Sequence, residues 1–129
     1  MLLVEDDDDS RNLLRLILGR YGADVISMGS STEALDSFMQ RTPDVVISDI
    51  GMSEVDGYEL IRKLRMLPVQ GSLLYGSSDS GIVPAIALTG YATLKDRERA
   101  LAAGYQLHLA KPVEPDELVV AIRNLVDRR

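Results

Sequence analysis

Along this chain, short runs of β-branched residues and leucine alternate with stretches whose apolar positions recur every three or four residues. Leu2-Leu3-Val4, residues 23–28, the run of Val45, Val46 and Ile47 that ends at Asp49, residues 83–88 and residues 106–110 have strand length. Helical spacing falls between them. Leu13, Leu14, Ile17, Leu18 and Tyr21 predict a first helix, with Asp9 or Ser10 as its cap and Gly22 past its end. Ser30 and Glu33 have capping-box spacing ahead of Ala34, Leu35, Phe38 and Met39, and Pro43 closes that unit. Leu60, Ile61, Leu64 and Leu67 mark a third helix stopped by Pro68. A fourth starts at Thr93 or Asp96 and runs to Gly104, with a thin apolar face of Leu94, Ala100 and Leu101. The last has Pro115 in its first turn and a clean stripe of Leu118, Val119, Ile122, Leu125 and Val126. Residues 69–82 are rich in Gly and Ser and read as a long connection.

Five strands alternating with five helices predict an α/β fold, a parallel sheet covered on both faces with right-handed crossovers. For five such units the common doubly wound strand order is 2-1-3-4-5. A length of 129 residues fits one domain over residues 1–129, and 46% hydrophobic residues supply a core. The net charge of −6 and the scattered Lys and Arg argue against a nucleic-acid surface. The absence of Cys and the single His exclude a Cys/His zinc site and disulfide stapling. No apolar run approaches the roughly 20 residues a bilayer span needs, and no signal-peptide pattern is present. The expectation is a soluble, cytoplasmic domain without membrane insertion.

The strand order makes the polar residues informative. It makes the first and third strands neighbours and gathers the C-terminal ends of four strands on one edge, where α/β folds place ligands. Glu5 and Asp6 end the first strand, Asp49 the third, Thr89 the fourth and Lys111 the fifth. Carboxylates that close repel one another, and a cation must neutralise them or their pKa values rise. All-oxygen ligands suit Mg²⁺, which prefers to share its shell with a phosphate. Gly51 can add a backbone carbonyl to that metal. Lys111 brings a second positive charge, and the Thr89 hydroxyl can donate to a phosphoryl oxygen. The set suits phosphorylation of a carboxylate, with Asp49 as nucleophile.

Together the residues resemble the receiver domain of two-component response regulators, over nearly the whole chain. The resemblance rests on Glu5-Asp6, on Asp49 with Met52 and Asp56-Gly57 after it, on Ala87-Leu88-Thr89-Gly90, and on Ala110-Lys111-Pro112. It implies a flavodoxin-like (βα)5 fold and a signalling domain, not an enzyme beyond self-phosphorylation and self-dephosphorylation. It implies that Asp49 accepts phosphate from a histidine kinase or phosphotransfer domain, that Glu5 and Asp6 hold Mg²⁺, and that Thr89 and Lys111 bind the phosphoryl group. A cis Lys111–Pro112 bond is expected with it, and an output partner read through the fourth helix, fifth strand and fifth helix. Residues 99–118 look most like receivers attached to hybrid sensor kinases.

The sequence departs from the family pattern at several positions. Ser53 replaces a usual proline, with no liganding group lost. His108 stands where many receivers carry Tyr or Phe as a switch, so it is either a partly exposed packing residue or a group that swings inward with Thr89. Gly51 leaves an attacking water unhindered, whereas Tyr91 either shades it or lies on the surface. Residues 69–82 are longer than the family norm, and Leu73-Leu74-Tyr75 there is a loop segment or a contact surface. Two other functions remain open at this point. Asp6 and Asp8 have the D-x-D spacing of haloacid-dehalogenase-type phosphatases, which would make Asp6 the nucleophile. A receiver-like module can also bind partners without phosphorylation.

Overall fold

The computed structural model describes residues 1–51, 56–67, 83–90 and 93–127. In chain order it contains β1 (Leu2–Val4), α1 (Asp8–Arg20), β2 (Ile26–Met28), α2 (Ser31–Gln40), β3 (Val46–Asp49), α3 (Gly57–Met66), β4 (Ala85–Thr89), α4 (Leu94–Ala103), β5 (Leu107–Ala110) and α5 (Pro115–Asp127). The sheet order is β2-β1-β3-β4-β5, all parallel, as the alternation of elements implies. The register sets Leu3 beside Ile47, Ile47 beside Ile86, and Ile86 beside Leu107.

Side chains on a strand alternate faces, and each face here has its own core. Leu2, Val4, Val46, Ala85 and Ala87 share a cluster with Phe38 of α2, Leu60, Ile61 and Leu64 of α3, and Ala100 of α4. Leu3, Val45, Ile47, Ile86 and Leu88 join Leu14 and Leu18 of α1 and Leu118, Ile122 and Leu125 of α5. The sheet is thus sandwiched by α2, α3 and α4 on one side and by α1 and α5 on the other.

Short polar side chains start the helices. Ser30 accepts from the Glu33 N–H at 3.2 Å, Asp56 from Glu59 at 2.9 Å and Thr93 from Asp96 at 3.2 Å. The first helix starts earlier than expected. Its cap is Asp7, which accepts from the Ser10 N–H at 2.8 Å, instead of Asp9 or Ser10. Asp8 and Asp9 then occupy the first turn, where the helix dipole favours negative charge.

The expected helix faces are corrected in three places. In α1 the buried stripe narrows to Leu14 and Leu18, while Leu13 is 59% exposed and Tyr21 turns outward to donate to Asp116 Oδ1 at 2.8 Å. Met39 of α2 is exposed, because Ala34 and Phe38 already fill the contact with the sheet. In α4 both Leu94 and Leu101 are exposed, so its buried side chains are Ala100 and Ala103, with the Arg99 guanidinium lying over the Tyr58 ring of α3 at 4.1 Å. The connection over residues 69–82, Ser53 and Tyr91 lie outside the described residues.

At the edge where β4 and β5 begin, Arg65 of α3 fastens the layers together. Its guanidinium donates to the carbonyls of Val83 and Gly104 and to Gln106 Oε1, which also accepts from the Ala85 N–H at 2.7 Å. Gly104 has a φ of +131°, which only glycine adopts freely, and so ends α4 sharply enough for its carbonyl to face Arg65.

Two adjacent leucines test the orientation of α1. Leu14→Ala should cost about 2–5 kcal/mol in urea unfolding, whereas Leu13→Ala should stay within about 0.5 kcal/mol. Equal losses would mean the helix is rotated from its described seat.

Candidate functional site

The polar residues picked out in the sequence meet at the C-terminal edge of the sheet because the strands end there in register. Asp49 is the last residue of β3 and Thr89 the last of β4. Glu5 directly follows β1, and Lys111 directly follows β5. Backbone bonds carry the ladder through this edge: Glu5 N–H donates to the Met28 carbonyl at 3.1 Å, Ile50 to Leu88 at 2.9 Å and Lys111 to Thr89 at 2.7 Å. The Lys111–Pro112 peptide is cis.

Glu5, Asp49 and Thr89 are buried, at 2%, 7% and 5% exposure, and Asp6 is half-buried beside them. One carboxylate oxygen from each of Glu5, Asp6 and Asp49 lies within 4.8 Å of the others. The Lys111 ammonium bridges two of these groups, 3.2 Å from Glu5 Oε2 and 3.1 Å from Asp49 Oδ1. The Gly51 N–H donates to the same Asp49 oxygen at 3.4 Å. Among the described residues nothing lies within 4 Å of a Cβ built on Gly51.

One ammonium cannot balance three carboxylates. Burial, and then the neighbouring Asp49, push the Glu5 pKa up to about 7, although Lys111 pulls the other way. Burial works against the Lys111 charge, but Glu5 and Asp49 outweigh it and lift its pKa. The cluster therefore lacks positive charge. Three carboxylate oxygens within reach of one point form a donor set that fits a small, hard divalent cation.

A second layer of contacts, unforeseen in the sequence, backs Asp49. The buried Tyr105 hydroxyl donates to the Gly57 carbonyl at 2.7 Å. Gly57 lies so close to the end of β3 that a Cβ there would sit 2.7 Å from the Asp49 carbonyl oxygen and 2.8 Å from Ile50 Cα. Ser48 Oγ donates to the Asp49 carbonyl at 3.1 Å. The sequence signal was the Asp56-Gly57 pair, but nothing local linked it to an aromatic 48 residues away.

His108 sits on β5 opposite Ala87, half-buried. Its Nε2 is buried and has no hydrogen-bond partner among the described residues, and burial lowers its pKa. The D-x-D reading of Asp6 and Asp8 fails on geometry. Asp8 is outside the carboxylate cluster, with its side chain 81% exposed and paired with Arg11.

A parallel five-stranded sheet with an acidic cluster at the ends of β1 and β3, reached by a lysine that follows the edge strand β5, defines a doubly wound α/β domain with a charged ligand site. The sequence model of the response regulator receiver domain matches residues 1–123, and the chain belongs to that family. It is 43% identical to an uncharacterized 14.6 kDa protein in the sodA1 3′ region of Leptolyngbya boryana, over 92% of this chain and 83% of that protein. It is 34% identical to the response regulator Rre1 of Synechocystis, over 100% of this chain and 52% of that protein, so it spans about half of that regulator. The likeness to hybrid-kinase receivers has a counterpart in the hybrid signal transduction histidine kinase D of Dictyostelium discoideum, 30% identical over 99% of this chain and 8% of that protein. Among solved structures, a putative response regulator from Chloroflexus aurantiacus superposes with a TM-score of 0.82 at 33% identity, covering 98% of this chain and 97% of that one. The chain is thus a receiver domain of two-component phosphorelay signalling, and the phosphatase alternative is not favoured. Among the described residues no helix is long and apolar enough to cross a membrane.

The raised Glu5 pKa has a consequence for the metal-free protein. Between the ordinary value of 4.5 and about 7, the folded state holds a proton on Glu5 that the unfolded state has lost. Its contribution to stability is therefore full below the lower value and declines as pH rises through the upper one. In chelator, urea midpoints of the wild type should fall relative to those of Glu5→Gln between about pH 5 and pH 7.5. Parallel pH profiles would mean that Glu5 is ionised throughout.

Proposed function

We propose that Asp49 is the phosphoacceptor of this receiver, and that residues 1–129 form one switching unit. The observation that carries this reading is the Lys111 ammonium held 3.2 Å from Glu5 and 3.1 Å from Asp49 inside a buried acidic cluster. The donor is a phosphorylated histidine of a histidine kinase or phosphotransfer domain. In the transfer the donor's N–P bond breaks, a bond forms between phosphorus and the Asp49 carboxylate, and the imidazole nitrogen keeps the electron pair. Mg²⁺ held by Glu5, Asp6, Asp49 and the Gly51 carbonyl supplies, when bound, the positive charge that the cluster lacks.

The chain's own groups do the rest. Lys111 and the Gly51 N–H fix the rotation of the Asp49 carboxylate through Oδ1. Once a phosphoryl group is on Asp49, Lys111 leaves Glu5 for a phosphoryl oxygen, and the Thr89 hydroxyl donates to another. Thr89 ends β4 next to Ala110 of β5, so its movement is felt two residues away at His108. The orphaned Nε2 of His108 gives that strand a hydrogen-bonding group whose partner arrives in the switched state.

The output is an altered protein-binding surface on α4, β5 and α5. Exposure of Leu94 and Leu101 leaves α4 held by small side chains, which suits an element that shifts. A net charge of −6 favours a protein partner over a nucleic acid. A chain without cysteine suits the cytoplasm, where histidine kinases present their phosphoryl groups.

Treatment with a small-molecule phosphodonor and Mg²⁺ should add one phosphoryl group, mapped to Asp49 by mass spectrometry. Asp49→Asn and chelation should abolish it, and Lys111→Met should slow it on the order of 10²-fold. A label on Asp6 would overturn the reading. In the same sample the His108 imidazole nitrogen resonances should shift on phosphorylation, and unchanged resonances would exclude His108 from the switch.

A further inference from the structure

Glu5 and Asp6 occupy the short bridge between the end of β1 and Asp7, the cap of α1. The Glu5 N–H is bound by the Met28 carbonyl. Its own carbonyl accepts from Arg11 Nη1 at 2.9 Å, and Arg11 Nη2 donates to Asp8. Arg11 sits one turn into α1, its N–H bonded to the Asp7 carbonyl, so its side chain folds back over the bridge. Although an arginine, it is only 20% exposed.

Gly29, just past β2, explains where the guanidinium lies. A Cβ built on Gly29 would be 2.8 Å from Arg11 Nη1, and the next two nearest atoms, at 3.5 and 3.9 Å, are also of that guanidinium. Among the described residues the positive-φ glycines are Gly22 and Gly104, so the backbone at position 29 does not demand glycine. What a side chain there would meet is Arg11.

We propose that Arg11 is a positioning residue for the metal-binding acid pair, and that Gly29 is the gap that admits its guanidinium. The inference rests on the reading that Glu5, Asp6 and Asp49 bind Mg²⁺. Arg11 takes up the Glu5 carbonyl, which has no place in the strand ladder once β1 ends, and fixes the direction in which the Glu5 and Asp6 carboxylates leave the bridge. Loss of a group that orients metal ligands in this way typically costs about 10–100-fold in metal affinity.

The sign of the effect separates positioning from simple charge. A cation beside the site repels Mg²⁺, so if Arg11 acted only through its charge, removing it would tighten binding. Positioning predicts the opposite. Gly29→Ala is the cleaner perturbation because it leaves every charge in place and displaces the flexible end of Arg11.

Isothermal titration with Mg²⁺ alone, on the full chain, tests this. Arg11→Ala, Arg11→Lys and Gly29→Ala should each weaken Mg²⁺ binding about tenfold. The double variant Arg11→Ala with Gly29→Ala should be no weaker than Arg11→Ala, because the clash partner is gone. Thermal melts in chelator identify any variant that has lost its fold; the charge-conserving pair Arg11→Lys and Gly29→Ala then decides. Wild-type affinity in that pair, tighter binding in a folded Arg11→Ala, or additive losses in the double variant would overturn the proposal. If the wild type itself does not bind Mg²⁺, or Asp49→Asn binds as well as wild type, the underlying site reading falls and takes this inference with it.

Discussion

Three carboxylates forced together around one lysine are the constraint on which the rest of this structure depends. Isolated, buried carboxylates of this kind would not stay ionised, and the lift in the Glu5 pKa shows the pressure. The fold sustains the crowding because its strand order makes β1 and β3 neighbours and ends four strands at one edge. The same packing that buries Glu5 and Asp49 also makes the cluster responsive. A cation or a phosphoryl group changes its charge balance by an amount that the low-dielectric surroundings do not screen away.

The opposite ends of the strands serve a different purpose. There Arg65, Gln106 and the sharp end of α4 at Gly104 hold α3, β4 and β5 in place through backbone carbonyls. Tyr105 leaves this fixed end and reaches the Gly57 carbonyl, in the turn packed against Asp49 and Ile50. One end of the sheet is thus anchored, while the other carries charges that ask for a ligand. Between them the buried side chains of α4 are two alanines.

Much of this was legible in the residues. The apolar runs were too continuous to be half-exposed strands, so a parallel sheet followed, and the strand order then placed Glu5, Asp6, Asp49, Thr89 and Lys111 together. What escaped was set by tertiary contact. Periodicity gave Leu13 and Leu14 equal claims on the core, and only the width of the sheet contact decided for Leu14. Five consecutive acids, Glu5 to Asp9, made the cap of α1 ambiguous, and backbone geometry selected Asp7. Met39 carried an apolar signal without a place to bury it. Arg11 and Tyr105 escaped because each acts on a carbonyl, Glu5 and Gly57 respectively, and carbonyls leave no trace in the side-chain pattern.

The central claim is that the carboxylate cluster is the cation site of this domain. Mn²⁺ accepts the same oxygen ligands as Mg²⁺ and broadens nearby NMR signals through its unpaired electrons. Titrated into the isotope-labelled protein at substoichiometric levels, it should first broaden the amides of Glu5, Asp6, Asp49, Gly51, Thr89 and Lys111, with excess Mg²⁺ restoring them. The amides around Arg65 and Gly104 should stay sharp. Broadening centred elsewhere, or none at the ends of β1 and β3, would contradict the account.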